Sequence, residues 1–287
     1  MKIALYNNFA GHFEIIGFLI ELFRDHKITI FSNYDRFGNV QYYQFLFNKT
    51  VKNKTIENFG DKYLSYDKIF VITMDASIPS FLTHVKDRTY GFLHIYSRRS
   101  NYIDNYITLY PSQLEFFREK INNVTKHFIY TYPFYNINSR PIFGERKYIL
   151  QIGTLYDNDE DLAYFEKNIK YEIIYFTRRK YSAPRDMATV NHYLKNSLFI
   201  LGRKSWPYPY SFTGSLLLAY SHNVPIILPE TKQKEYNLPC ITFKEKYSEL
   251  VDYINNFNEE DYQKLSDRME EIKLKIIDEN REKLVGM

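Results

Sequence analysis

Three groups of residues in this chain are of types that do chemistry. His12 follows Gly11 just ahead of a helix-like stretch, and His94 lies near the end of the run Tyr90-Gly-Phe-Leu-His-Ile-Tyr96. A histidine near its ordinary pKa of about 6.5 can take a proton from a hydroxyl at neutral pH. Equally, His12 can cap a helix and His94 can sit satisfied in a core. The second group is Ser211-Phe-Thr213-Gly214-Ser215, hydroxyls and a glycine where a helix begins. Free N–H groups and the positive end of the helix dipole make such a start a phosphate site, or the hydroxyls simply cap it. The third group is cationic: Arg178, Arg179 and Lys180 after one apolar strand, Arg203 and Lys204 after the next. Tyr208 and Tyr210 follow and can stack on a planar or sugar ring.

The stretch that carries most of these residues is Leu198–Glu230. It reads as apolar strand, aromatic loop, helix start, helix and second strand Ile226-Ile-Leu228, which is one βαβ unit. The same rhythm opens the chain: strand Lys2–Tyr6, turn Asn7–His12, a largely buried helix Phe13–Phe23 and strand Lys27–Phe31. No G-x-G-x-x-G follows the first strand. Residues 34–65 show no clean period. Further strands are expected at Lys68–Thr73, Tyr90–Tyr96, Ile107–Tyr110, Lys126–Tyr130, Tyr148–Ile152, Tyr171–Phe176 and Ile241–Phe243. Helices are expected at Ile78–Val85, from Pro111 to Ile121, at Glu160–Lys167, Met187–Asn196 and Tyr247–Phe257. Asn258 can cap a last helix with an apolar stripe at Tyr262, Leu265, Met269, Ile272 and Ile276, its other faces solvated. Asn136–Arg146, rich in proline, glycine and polar residues, marks a boundary. The domains expected are 1–138, 139–258 and a terminal helix 259–287. Two tandem α/β domains place strand carboxyl ends across a cleft, where ligands bind.

Composition narrows the class. With 287 residues, 45% hydrophobic and 25% charged, the chain can bury two ordinary cores. Its net charge of +4 is too small to imply nucleic acid by itself. The single cysteine, Cys240, excludes an intrachain disulfide and argues against structural zinc. No apolar run reaches the roughly 20 residues that span a bilayer, and the chain starts on a strand, so a cytoplasmic protein is expected. The 28 tyrosines and 23 phenylalanines fit codon bias better than a binding surface.

Several of these stretches resemble the GT-B glycosyltransferases, nearest the retaining group that shares an E-x7-E motif. Leu216–Leu228 (LLLAYSHNVPIIL) resembles that family's helix and strand around A-x-A-x-G-x-P-V-I. Tyr148–Leu155 (YILQIGTL) resembles the strand and glycine that open its donor domain, Gly153 and Thr154 included. Ile107–Tyr135 and Phe243–Phe257 resemble the close of the acceptor domain and the strand and helix after the motif. The likeness covers most of the chain and rests on pattern. The motif's two glutamates fall on Tyr210 and Leu218, the small residue before Val-Pro is Asn223, and the family's arginine is Thr154 here.

The resemblance implies two Rossmann-like domains facing across a cleft, residues 1–138 holding the acceptor and 139–258 the sugar nucleotide. It implies transfer of a sugar from a UDP- or GDP-linked donor to a hydroxyl on a glycan or other acceptor, with no cofactor and no metal. His12 matches the catalytic base of inverting members in a similar Gly-His. His94 matches a V-x-x-H histidine that contacts the transferred sugar. Gly11, Gly153, Thr154, Arg178, Arg179, Arg203, Lys204, Tyr208, Tyr210, Ser211, Thr213, Gly214 and Ser215 are the donor-side candidates, the cations neutralising a diphosphate leaving group. Asp157-Asn-Asp159 imitates a metal-binding D-x-D yet precedes a helix, where acidic residues cap. Two rivals stay open: a catalytically silent module binding nucleotide or glycan, and a transferase acting on DNA bases.

Overall fold

The structure is a computed structural model that describes residues 1–9, 11–35, 38–74, 78–94, 102–120, 126–137, 143–152, 160–176, 186–204 and 213–286. The chain forms two compact units. Met1–Tyr135 and Ile276–Met287 belong to the first, Asn136–Pro207 and Thr213–Lys275 to the second.

The described strands of the first unit are β1 (Lys2–Asn7), β2 (Lys27–Ser32), β3 (Lys52–Lys54), β4 (Lys68–Val71), β5 (Thr89–Phe92), β6 (Asn105–Thr108) and β7 (His127–Tyr130). They form a sheet in the order β3-β2-β1-β4-β5-β6-β7, parallel at every pairing. Helices α1 (Phe13–Leu22), α2 (Asn39–Leu46) and α3 (Pro111–Lys120) complete the doubly wound pattern. After its first residue β1 is buried throughout, as both faces of a covered parallel sheet require. Tyr6, Ile69, Val71 and Phe59 share one core layer. The chain reverses its winding between β1 and β4, so their carboxyl ends flank the switch point.

In the second unit the described strands are β8 (Tyr148–Ile152), β9 (Glu172–Phe176), β10 (Ser197–Leu201), β11 (Ile226–Pro229) and β12 (Ile241–Phe243). Their order is β12-β11-β10-β8-β9, again parallel, with the switch point between β8 and β10. Its described helices are α4 (Glu160–Asn168), α5 (Met187–Asn196), α6 (Gly214–Ser221), α7 (Glu230–Tyr236) and α8 (Val251–Asn256); α9 (Glu259–Val285) follows, its residues from Ile276 on belonging to the first unit.

Some expectations need correction. Residues 34–65, which show no period, hold α2 and β3, each too short to display one. The helix expected over 78–85 is a 3-10 segment, Ser80–Arg88. Thr83 Oγ1 donates back to the Ser80 carbonyl at 2.9 Å and Val85 leaves helical geometry, which prevents a regular α turn. The strand expected to run to Tyr96 ends at Phe92. The helix expected over 247–257 is a 3-10 turn, Tyr247–Leu250, followed by α8. Helix α7 carried no period to find it by.

Helix α9 differs most. Asn258 does cap it, accepting from Asp261 N at 2.9 Å. Its other faces, expected to be solvated, include three buried polar residues at seven-residue steps: Ser266, Lys273 and Asn280. Ser266 and Lys273 bond the carbonyl and side chain of Asn223 in the second unit, at 3.3 and 2.9 Å. In the first unit, Asn280 Nδ2 donates to the Tyr132 carbonyl at 2.7 Å, and Lys68 Nζ donates to the Leu284 carbonyl at 2.8 Å. Each of these polar heads is stabilised by a partner, as burial requires.

Candidate catalytic and binding sites

The first unit gathers its chemistry at the carboxyl end of β1. The turn after Asn7 brings the chain to His12, which serves as N-cap of α1 with φ 62°, in the left-handed region. Among the described residues the other non-glycine positions with positive φ are Asn48, Asn223 and Asn237, and asparagine tolerates that geometry. Histidine holds it at a cost on the order of 1 kcal/mol, and such strain concentrates at working sites.

His12 stacks on two other rings. Its ring stacks on His94 at 3.7 Å between centroids and 22° between planes. Phe9 stacks against it at 5.5 Å and 24°. A Cβ on Gly11 would meet the Phe9 ring at 2.9 Å, so the glycine lets Phe9 fold back. His12 Nδ1 lies 3.5 Å from a Glu14 carboxylate oxygen, and the imidazole side chain remains 27% exposed. This is an accessible imidazole with a carboxylate behind it, the arrangement of a general base.

His94 is built differently. It is buried, and its Nε2 lies 2.8 Å from the Ile72 carbonyl oxygen. A carbonyl only accepts, so Nε2 carries the hydrogen and Nδ1 is bare. Burial first, then the neighbouring His12, push its pKa well below the usual 6.5, against the pull of the Ile72 bond. Asn7, fully buried, donates to the Gly11 carbonyl at 3.5 Å, and its own carboxamide oxygen has no partner.

In the second unit the matching edge is the end of β8 and β10. Gln151, near the end of β8, is fully buried and its Oε1 has no partner. After β10 comes Gly202, whose Cβ would lie 2.6 Å from the Ile227 carbonyl oxygen, so no other residue fits this backbone. Arg203 and Lys204 follow directly. Lys204 Nζ pairs with Asp161 at 3.3 Å, and Asp161 also accepts from Tyr247 N and Ser248 N. Burial raises the Asp161 pKa, but hydrogen bonds from Ser248, Tyr247 and Lys204 outweigh it and hold the carboxyl below its usual value.

Thr213 is the N-cap of α6, accepting from Ser215 N at 3.3 Å and sharing a hydrogen with Ser215 Oγ at 2.5 Å. The two hydroxyls expected to meet a phosphate are thus bonded to each other, and Gly214 opens the helix between them. Leu218, where the resemblance places a glutamate, is buried in α6.

Of the sequence candidates, the structure brings together Gly11, His12 and His94 in the first unit, and places Arg203, Lys204, Thr213, Gly214 and Ser215 in the second. Gly153, Thr154, Arg178, Arg179, Tyr208, Tyr210 and Ser211 lie outside the described residues, as does Asp157-Asn-Asp159. Among the described residues no cluster of histidine, cysteine or acidic side chains could hold a metal. Likewise none of the described helices is long and apolar enough to cross a membrane. Sequence reading missed Asn7, Phe9, Glu14 and Gln151. Gln151 gave a signal, a polar residue within an otherwise apolar strand run; Asn7, read as the start of a turn, and the exposed Phe9 gave none.

Two doubly wound parallel-sheet units in one chain define the class, the GT-B fold. The chain matches no family model and no curated protein. Among solved structures it is similar over its whole length to a UDP-N-acetylglucosamine 2-epimerase, with TM-score 0.54, 12% identity and 96% of that chain covered. It is equally similar to AviGT4, a glycosyltransferase involved in avilamycin A biosynthesis, with TM-score 0.54, 10% identity and 99% of that chain covered. At these identities the likeness is one of fold.

Proposed function

We propose that this chain is a metal-independent glycosyltransferase that moves a sugar from a nucleoside diphosphate donor to an acceptor hydroxyl. The observation that carries the proposal is His12: a partly exposed imidazole on left-handed backbone at the switch point of the first unit, with Glu14 3.5 Å from its Nδ1. His12 takes the acceptor proton as the acceptor oxygen bonds the anomeric carbon. The bond from that carbon to the diphosphate breaks, and the electron pair leaves with the phosphate. Glu14 steadies the imidazolium. Arg203 and the start of α6 offset the charge on the leaving group. A base acting on the acceptor favours a single displacement, hence inversion. Both solved relatives, an epimerase and a transferase, fit sugar chemistry in this fold.

A second reading is a silent module that binds nucleotide or glycan. Leu218 favours it, because a buried leucine cannot do what the family's glutamate does. The first test is a thermal-shift panel of UDP, GDP, CDP and dTDP with their sugars, using Arg203→Ala as control. A ligand of the native state raises the midpoint with its excess over Kd. The donor site stands if one nucleotide stabilises the wild type and not the variant. Product analysis with that sugar nucleotide then separates transfer, epimerisation and plain binding. If no nucleotide moves the midpoint, the donor assignment is lost.

A further inference from the structure

We propose that His94 is a positioning residue that acts through His12, fixing the plane of its ring, and does not touch the sugar. This deepens the transferase reading and rests on it. Three features carry the inference. His94 is buried, with its ring hydrogen committed to the Ile72 carbonyl at 2.8 Å. Its backbone is pinned as well: Leu93 N donates to the Ile107 carbonyl at 2.9 Å, and Gln113 Nε2 reaches the His94 carbonyl at 3.4 Å. Gln113 is itself held by Leu109 N at 2.6 Å. Finally, the His94 face lies against His12 at 3.7 Å and 22°, and Phe9 also stacks on His12, at 5.5 Å and 24°.

The consequence is a division between two chemically identical side chains. Two imidazolium rings cannot share a 3.7 Å stack without strong repulsion. Burial disfavours a charge on His94, so the stack holds a neutral ring against His12. His94 therefore supplies a flat, uncharged, immobile wall against which His12 keeps one orientation. Among the described residues, Glu14 and His94 are the titratable groups set against His12.

The test has two parts on the full chain. Nitrogen-15 correlation spectra of the histidine rings need no substrate. His94 should show a single neutral form, hydrogen on Nε2, unchanged from pH 8 to 5. If His94 titrates in that range, the proposal is overturned. Kinetics with the sugar nucleotide found by the panel then compare His94→Ala with His94→Phe. Loss of the wall should lower kcat about 10- to 100-fold with the donor KM within about twofold, and phenylalanine, which restores a flat face, should recover most of it. A donor KM raised tenfold or more in both variants would show that His94 contacts the sugar, and the proposal fails. Wild-type kcat in His94→Ala also defeats it. If the wild type turns over nothing, the transferase reading falls, and the spectra still decide whether His94 is the neutral member of the pair.

Discussion

The two units present the same edge to solvent chemistry and equip it differently. At the end of its first strand each carries a buried carboxamide with an unpartnered oxygen, Asn7 in one and Gln151 in the other. Beyond that point they diverge. The first unit adds groups that can move a proton: His12, Glu14 and the stacked His94. The second adds a glycine that admits no side chain, two cations and a capped helix start. Under the proposed function, one edge would do acid–base work and the other would hold an anion. A doubly wound sheet supplies the location, and the loops decide the chemistry.

The comparison is broken most severely by removing the imidazole proposed as the base. His12→Ala should lower turnover roughly 100- to 10,000-fold while leaving nucleotide-induced thermal shifts in place. Equal loss of both would mean that the units do not divide the work. Gly202→Ala is the counterpart in the second unit. Its methyl would press on the Ile227 carbonyl, and calorimetry should show a loss of about 1–3 kcal/mol together with weaker nucleotide binding.

A pH experiment separates the two buried histidines. Burial first, then Lys273, Lys195 and Arg146, lower the pKa of His222 to about 3. Below its ordinary 6.5 the unfolded chain binds a proton that the folded chain refuses. Stability is therefore full above that pH and falls as pH drops toward 3, by up to about 1.4 kcal/mol per unit. His222→Gln should flatten this limb of a urea-denaturation series without altering turnover at neutral pH. A steeper limb in the variant would contradict the sign.

Smaller effects sharpen the likeness between the units. Gln151→Met and Asn7→Leu each remove a stranded acceptor but also the amide that donates to the Ile152 or Gly11 carbonyl, so stability without ligand should change by less than about 1 kcal/mol in either. If the oxygens wait for ligand donors, Gln151→Met should weaken nucleotide binding and Asn7→Leu should not. Thr213→Ala should cost about 1 kcal/mol through the lost cap, and Thr213→Ser almost nothing. If Thr213→Ser also loses the nucleotide shift, the hydroxyl geometry does more than cap.

Much of this was legible in the residues themselves. Long buried strands and helices announce themselves by period, which is why β1, α1, β8 and α5 lie within a residue or two of their expected bounds. Short elements such as β3 and α7 have too few residues for a period to show. His12 and His94 stood out by type, but their stacking depends on a turn and a strand end more than eighty residues apart, which no local pattern encodes. The buried Lys273 shows the same limit. A lysine on a charged helix looks solvated until Asn223, fifty residues earlier, is seen to meet it.

The left-handed backbone at His12 has one more consequence. Glycine or asparagine would sit there with less strain, and neither can accept a proton at neutral pH. Random mutation followed by selection for heat resistance alone should thus enrich His12→Gly and His12→Asn, giving hardier proteins that have lost their chemistry. If His12 is the base, stability and activity pull this single codon in opposite directions, and its identity in any lineage of this chain records which of the two was being selected.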